Sequence, residues 1–359
     1  MDHMNELKKL RQGIDKIDND ILRLLNKRAD IVLDIAHIKR NKQAKFYSPE
    51  REREILERLT ALNKGPFPNA TLKVIFREII SASLSLEEPL KVSCLGPLAT
   101  YTHLAAIRYF GSSAAFVPVG TIKDVFDAVE SGKVEFGVVP IENSTEGVIS
   151  YTIDLFMDYD LKVSAEVMLR ITHNLLSKSG DKAKIRKIYS FSPPTAQCRR
   201  WLSTNMPGVA IIEATSSADA AERASRDGES AAIASELAAE IYNLQFVEKS
   251  IEDNKYNFTR FLVISKDFPK KSGRDKTSIM FSIKDRPGAL YNILEPFKKA
   301  KINLTKIESR PSKRRAWEYI FFVDMVGHVD DKKIKNAIEG MKENCLYLNI
   351  LGSYPQGEF

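Results

Sequence analysis

From Asn5 to about Arg40 the apolar residues Leu7, Leu10, Ile14, Ile17, Ile21, Leu24, Ile31, Ile35 and Ile38 recur at heptad spacing. That period places them on one stripe of a single long helix. Arg28 stands on the seam between Ile21 and Ile35, Lys39 lies on the same stripe, and Arg11 flanks it at the other end. A guanidinium on a packing seam is costly unless an anion or a carboxylate meets it. A lone arginine there reads as a buried ion pair or a snorkelling side chain. Three cations on one apolar face point instead to a ligand. At about 1.5 Å per residue, Arg11 and Lys39 are roughly 42 Å apart, too far to hold one small molecule within one straight helix. An antiparallel second copy brings Arg11 of one chain beside Arg28 and Lys39 of the other, with Arg51 and Glu52 arriving from the next helix. Such a pocket suits a small dianion.

The 359-residue sequence is too long for one average core and predicts two or three domains. No stretch approaches the roughly 18 apolar residues that span a bilayer, and the N-terminus lacks the apolar core of a secretory signal, so a cytoplasmic chain is expected. The net charge of +7 suits anionic partners. Its basic residues are interleaved with acids and no nucleic-acid module appears, so small anionic substrates explain the sign as well as nucleic acid does. Cys94, Cys198 and Cys345 are odd in number and widely spaced, which predicts reduced, buried thiols rather than disulfides or a metal site.

Three domains are expected, at 1–89, 90–268 and 269–359. Helices are predicted over Asn5 to Arg40, Pro49 to Leu62 and Leu72 to Leu86, separated by the breakers Asn63 to Pro68. From Lys91 short β-rich runs alternate with helical segments, the α/β signature. The long β-like stretch Leu161 to Ser177 is placed to pass between two lobes flanking a cleft. After the linker Asp267 to Lys276, the order strand, helix, strand, strand, helix, strand predicts a ferredoxin-like sandwich.

The segments LRQGIDKIDNDILRLLNKRADI, the IKR around Lys39, SPEREREILERL and IFREIISASLSLEE resemble the all-helical, three-helix chorismate mutase family. The resemblance implies that Arg11 and Arg28 bind substrate carboxylates, with Arg51 near the pocket. It puts Lys39 at the ether oxygen, Glu52 at the substrate hydroxyl, and Ser83 and Glu87 at the last pocket positions. A Claisen rearrangement needs no nucleophile, metal or cofactor, only a folded conformer and positive charge where the breaking C–O bond gathers electrons. Some relatives carry Gln where Glu87 stands. Glu87 donates to the ether oxygen only when protonated, so mutase activity is expected to weaken as pH rises.

Gly137-Val138-Val139-Pro140-Ile141-Glu142-Asn143-Ser144-Thr145-Glu146-Gly147 reads as a buried strand running into a polar turn and then a helix. Such strand ends bind ligands in α/β proteins, although Asn-Ser-Thr-Glu also reads as a helix cap. Leu95-Gly96-Pro97 with Thr100-Tyr101-Thr102 is a second turn of this kind. With Ser190, Thr195-Ala196-Gln197-Cys198-Arg199 and NFTRFLVIS, these segments resemble the prephenate dehydratase domain, a two-lobed α/β, periplasmic-binding-protein-like fold. The resemblance implies that Asn143, Ser190, Gln197 and Thr259 surround prephenate, with Thr259 assisting loss of the ring hydroxyl. It also places Thr100 and Thr102 along the cleft and makes Arg260 a carboxylate-binding or steering group.

Asp285-Arg286-Pro287-Gly288-Ala289-Leu290 joins a strand to a helix whose N-terminal N–H groups are placed to receive a carboxylate, and Glu308-Ser309-Arg310-Pro311 follows the second strand. In a βαββαβ frame these resemble the ACT regulatory domain. The resemblance implies phenylalanine at a domain interface, with Asp285, Gly288, Ala289, Leu290 and Glu308 as effector-site candidates. Together the resemblances imply a homodimer or homotetramer that converts chorismate to prephenate and then phenylpyruvate under phenylalanine control, without cofactor, nucleic-acid partner or membrane. A ligand sensor whose catalytic regions have decayed and a basic nucleic-acid-binding regulator are the alternatives. Retention of Arg11, Arg28, Lys39, Glu52 and Thr259 weighs against the first.

Overall fold

The computed structural model describes residues 2–41, 47–283, 286–311 and 319–357. The chain divides into two compact units, residues 1–90 with 110–115, and residues 91–109 with 116–359.

The first unit contains α1 (Asp2–Asn41), α2 (Pro49–Leu62) and α3 (Asn69–Glu87). Pro49 opens α2 with its fixed φ, and the Ser48 side chain accepts from the Arg51 amide, satisfying one orphan donor of the first turn. Only the C-terminal half of α1 is covered within the chain, where Ala36 is buried and Arg28 and Lys39 are half-buried. The other half is bare, and along the whole stripe the apolar residues from Leu7 to Ile38 named above remain 41% to 64% exposed. A contiguous exposed apolar seam of this kind is the signature of an interaction surface.

The second unit holds three sheets. In chain order its strands are β1 (Lys91–Leu95), β2 (Ala115–Val119), β3 (Phe136–Asn143), β4 (Gly147–Val148), β5 (Lys162–Arg170), β6 (Asn174–Ser177), β7 (Lys187–Ser190), β8 (Ala210–Glu213), β9 (Ser230–Ala234), β10 (Gln245–Glu248), β11 (Phe258–Ser265), β12 (Asp275–Ile283), β13 (Leu304–Pro311), β14 (Tyr319–Val326) and β15 (Cys345–Pro355). One lobe is built on the order β2-β1-β3-β11-β5, with β4 paired to β3, and the other on β10-β6-β9-β7-β8. The stretch Leu161 to Ser177 therefore supplies β5 to one lobe and β6 to the other, and β11 returns the chain to the first. Gly137 permits the packing of helix Ile122–Glu130 on β3, since a Cβ there would lie 2.6 Å from Val125 Cγ1.

The third sheet, β13-β14-β12-β15, carries helices Ala289–Lys299 and Lys332–Lys342 in βαββαβ order. It has its own buried core around Ile279, Phe281, Ile293 and Met341 and also packs on the first lobe. Met280, Ile320, Phe322, Leu351 and Tyr354 share one buried apolar cluster with Val139, Ile141, Leu262 and Ile264 of the first lobe. Continuous burial joins this lobe to the third sheet. Gly352 is required at this junction, because a Cβ there would lie 2.1 Å from the Val163 carbonyl oxygen on β5.

Candidate active sites

In the helical unit, α1 and α3 bring four of the expected residues together. The Arg28 guanidinium donates to the Ser83 hydroxyl and, at 3.5 Å, to the Ile79 carbonyl. Lys39 Nζ lies 3.6 Å from Glu87 Oε2, while Arg40 donates to the Glu87 carbonyl at 2.7 Å. Burial pulls the Arg28 guanidinium below its ordinary value, against the attraction of Glu87. A partly desolvated cation is a strong partner for an anion. Glu52, on α2, accepts from the Tyr47 hydroxyl at 3.2 Å and lies 3.6 Å from Arg77 Nε. Burial pushes its carboxyl up, and Arg77 and Tyr47 offset part of that rise.

Two expected residues fall elsewhere within the single chain. Arg51 pairs with Glu54 at 3.0 Å on the exposed face of α2, one residue along from Glu52 and thus turned by about 100°. Arg11 stands on the bare half of α1, 17 residues or roughly 26 Å from Arg28.

The cleft of the α/β unit is a connected chain of side chains drawn from both lobes. Asn143 ends β3 directly opposite Thr259 on β11, and its Nδ2 donates to Thr259 Oγ1 and to Asn257 Oδ1, both at 2.8 Å. The amides of Thr145 and Glu146 donate to Asn143 Oδ1 at 2.8 and 2.9 Å, which fixes the side-chain amide in this orientation. Thr259 Oγ1 is therefore an acceptor from Asn143 and keeps its own proton for another partner.

Gln197 Nε2 donates to Glu146 Oε1 at 2.9 Å, so its Oε1 accepts from Asn257 Nδ2 and His173 Nε2, each at 2.8 Å. These partners place the His173 proton on Nε2, so that Nδ1, 2.9 Å from the Tyr101 hydroxyl, shares that hydroxyl's single proton with the Thr172 carbonyl at 2.7 Å. Burial holds His173 below the ordinary histidine value, outweighing the opposing pull of Gln197 and Glu252, so the ring is neutral at physiological pH.

Asn143, Gln197 and Thr259 thus meet in one network, whereas other expected residues are engaged locally. Ser190 is buried and donates to the Phe191 carbonyl at 3.1 Å, and Thr100 donates to the Leu95 carbonyl at 2.8 Å. Thr102 is buried one residue into the helix Tyr101–Phe110. The turn after Asn143 makes a hairpin, because β4 pairs back onto β3 before helix Ser150–Leu155 begins.

Arg260 is not in the cleft. It follows Thr259 on β11, so its side chain faces the other side of the sheet. There it donates to Glu166 at 2.7 Å, Asp324 at 2.6 Å, Glu142 at 3.0 Å and the Tyr354 hydroxyl at 3.0 Å. Burial disfavours its charge, but Tyr354, Asp324, Glu166 and Glu142 outweigh that and hold it protonated.

Sequence reasoning did not single out His173, Asn257, Tyr101 or Glu146 as site residues. Three of them lie inside or beside the quoted motifs. His173 had no local signal, since it sits where the chain passes between lobes and acquires its role from Gln197, 24 residues away.

Beside the third sheet, Gly288 adopts the left-handed region at φ 77° as the cap of helix Ala289–Lys299, which glycine accommodates without strain. Ala289 is buried, Leu290 is half-buried, and Glu308 lies on β13 opposite Phe322. Asp285 lies outside the described residues. Among the described residues no group of His, Cys, Asp and Glu side chains is arranged to hold a metal ion, and no helix is long and apolar enough to cross a membrane.

Fold and site together define a multidomain enzyme with an all-helical unit and a two-lobed α/β unit whose polar cleft is accompanied by a ferredoxin-like regulatory sheet. Family models described as prephenate dehydratase, chorismate mutase type II and ACT domain match residues 92–269, 10–88 and 277–342. The chain belongs to the bifunctional chorismate mutase/prephenate dehydratase family. A protein of that description from Aquifex aeolicus (strain VF5) is 50% identical over 357 residues, covering 98% of this chain and 99% of the relative. A prephenate dehydratase from Methanocaldococcus jannaschii is 38% identical over 72% of this chain and 96% of its own length. The crystal structure of a prephenate dehydratase from Arthrobacter aurescens in complex with L-Phe aligns with a TM-score of 0.68 at 30% identity, covering 74% of this chain and 90% of that one.

Proposed function

We propose that the chain rearranges chorismate to prephenate in its helical unit, converts prephenate to phenylpyruvate in the α/β cleft, and is feedback-inhibited by phenylalanine at the sensor sheet. The observation that carries the dehydratase reading is the Asn143–Thr259 pair. Two backbone amides lock the Asn143 side chain, which presents Thr259 Oγ1 with its proton available. Loss of carbon dioxide and hydroxide from prephenate is driven largely by aromatisation. The protein has to hold the substrate carboxylates and hydrogen-bond the departing oxygen. Thr259 serves as that oriented donor, while Gln197, held by Glu146, His173 and Asn257, presents a fixed amide to the substrate. Ser190, Thr100 and Thr102 line the same cleft.

For the mutase, Arg28 and Lys39 supply the preorganised positive charge that the rearrangement needs, with Ser83, Glu87 and Glu52 as the polar groups beside them. Arg11 joins it from a second copy, with Arg51 at its edge. The uncovered stripe of α1 supports a homodimer, and a homotetramer remains compatible with it. The protein is assigned to the cytoplasm, and its domains to 1–89, 90–268 and 269–359. Gly288, Ala289, Leu290 and Glu308, with Asp285, form the proposed effector site. Inhibition requires that phenylalanine bind two states of the protein with different affinity.

The test follows chorismate loss and phenylpyruvate appearance in the purified protein, with and without phenylalanine, alongside Arg28→Met. Arg28→Met is expected to remove mutase activity and spare dehydration of added prephenate. If chorismate disappears but phenylpyruvate never forms, the dehydratase assignment fails.

A further inference from the structure

β3 and β11 carry two adjacent cross-strand pairs, Thr259 with Asn143 and Arg260 with Glu142. Successive residues of a strand face opposite sides, so the first pair lies in the cleft and the second lies on the sensor side of the same sheet. Arg260 is held there by the sensor sheet as much as by its own lobe. Asp324 on β14 and Tyr354 on β15 bind its two terminal nitrogens, and Lys306 on β13 donates to Glu142. Ser278 on β12 bridges Asp324 and the Tyr354 hydroxyl. Lys276 donates to Glu166 at 2.8 Å and the Gly357 amide does so at 2.9 Å. The three cations Arg260, Lys276 and Lys306 face the three carboxylates Glu142, Glu166 and Asp324, so the buried cluster is balanced in charge.

A balanced buried cluster contributes little net stability compared with apolar packing, but its hydrogen bonds fix geometry. Here the fixed geometry is that of two strands at their cleft-facing ends, one residue from the Thr259–Asn143 contact. The strand register shifts just beyond, between Arg260 and Phe261, so the regular ladder does not continue through this point.

We propose that Arg260 is a positioning residue for dehydration. Clamped by Asp324 and Tyr354 of the sensor sheet, it sets the relative placement of Thr259 and Asn143, so the sensor sheet completes the dehydratase site. The inference rests on the dehydratase reading above. Lys306 and Glu308 stand two apart on β13 and share one face, so the strand that reaches Glu142 also bears a proposed effector residue.

The test uses the full chain and compares prephenate turnover for the parent, Asp324→Asn, Tyr354→Phe and Lys306→Met, with mutase turnover of the same samples as the internal control. Misplacing a reacting group by about 1 Å costs on the order of 100-fold, so Asp324→Asn is expected to lower kcat by about 10- to 100-fold with KM little changed and mutase activity retained. Tyr354→Phe and Lys306→Met, which leave the carboxylates in place, are expected to lower kcat by smaller factors in the same way. They decide the matter if Asp324→Asn does not fold. Folded variants that all keep the parent's kcat, or that lose only thermal stability, overturn the inference. A parent chain inactive on prephenate removes the dehydratase reading itself.

Discussion

Thr259 and Asn143 are register partners on antiparallel strands and are joined by a 2.8 Å hydrogen bond in which the amide donates and the hydroxyl accepts. This direction leaves the threonine proton for the substrate. Thr259→Ala is therefore expected to lower dehydratase kcat by about 100- to 1,000-fold, the usual cost of removing one preorganised donor. Thr259→Ser should recover much of the loss. Phenylpyruvate formation reads the effect, and an alanine variant as fast as the parent would reject the role.

Glu87 faces Lys39 at 3.6 Å on the seam between α1 and α3. A carboxyl donates a hydrogen bond only when protonated, whereas an amide donates at any pH. Glu87→Gln replaces the carboxylate facing Lys39 by a neutral amide that donates, and is expected to change mutase kcat by about 10-fold while dehydration of added prephenate is unchanged. A variant with the parent's mutase turnover would end the proposed function of this side chain.

The uncovered stripe of α1 makes a quaternary prediction. Replacing Ile17, which is 59% exposed in the single chain, with Glu should dissociate the protein and abolish mutase activity, because burying an unpaired carboxylate in an apolar seam is prohibitive. Sedimentation velocity measures the outcome. A parent protein that sediments as a monomer contradicts it.

Gly352→Ala places a methyl group 2.1 Å from the Val163 carbonyl oxygen, where backbone has to give way. Overpacking of this kind costs about 1–3 kcal/mol. A lowered melting temperature of the α/β unit is expected, and an unchanged one would mean that β15 and β5 separate freely.

The charge cluster between lobe and sensor predicts acid sensitivity. Burial works to raise Glu142 and Glu166, but Lys306 and Arg260 at the first, and Arg260 and Lys276 at the second, hold both carboxyls below their ordinary values. A group depressed on folding stabilises the protein fully above its unfolded value, about 4.3 for glutamate, and that contribution is lost as pH falls through the folded value. Unfolding monitored from neutral pH downward should show stability declining below about pH 4.3, with a shallower decline in Glu166→Gln. Equal slopes for parent and variant would exclude Glu166 as a source.

Local periodicity and punctuation located most of the elements, but not the hairpin strand β4 or the first turn of α3. Pro49 and the breakers after Leu62 gave α2 its bounds without adjustment, and the run Leu161 to Ser177 was readable as strand that serves both lobes. Residue types on the heptad seam single out Arg28 and Lys39 as candidates, because a cation on an apolar stripe is conspicuous within a few turns. What tertiary structure alone decided was the company each side chain keeps across long stretches of sequence. Arg260 adjoins Thr259 in sequence, yet strand alternation turns it to the sensor sheet, where Asp324 is 64 residues distant. His173 enters the cleft only because β5 and β6 belong to different lobes and bring it to Gln197. Short-range patterns record which face of an element is apolar, but the partner that a polar group meets on burial is set by packing between elements far apart in the chain.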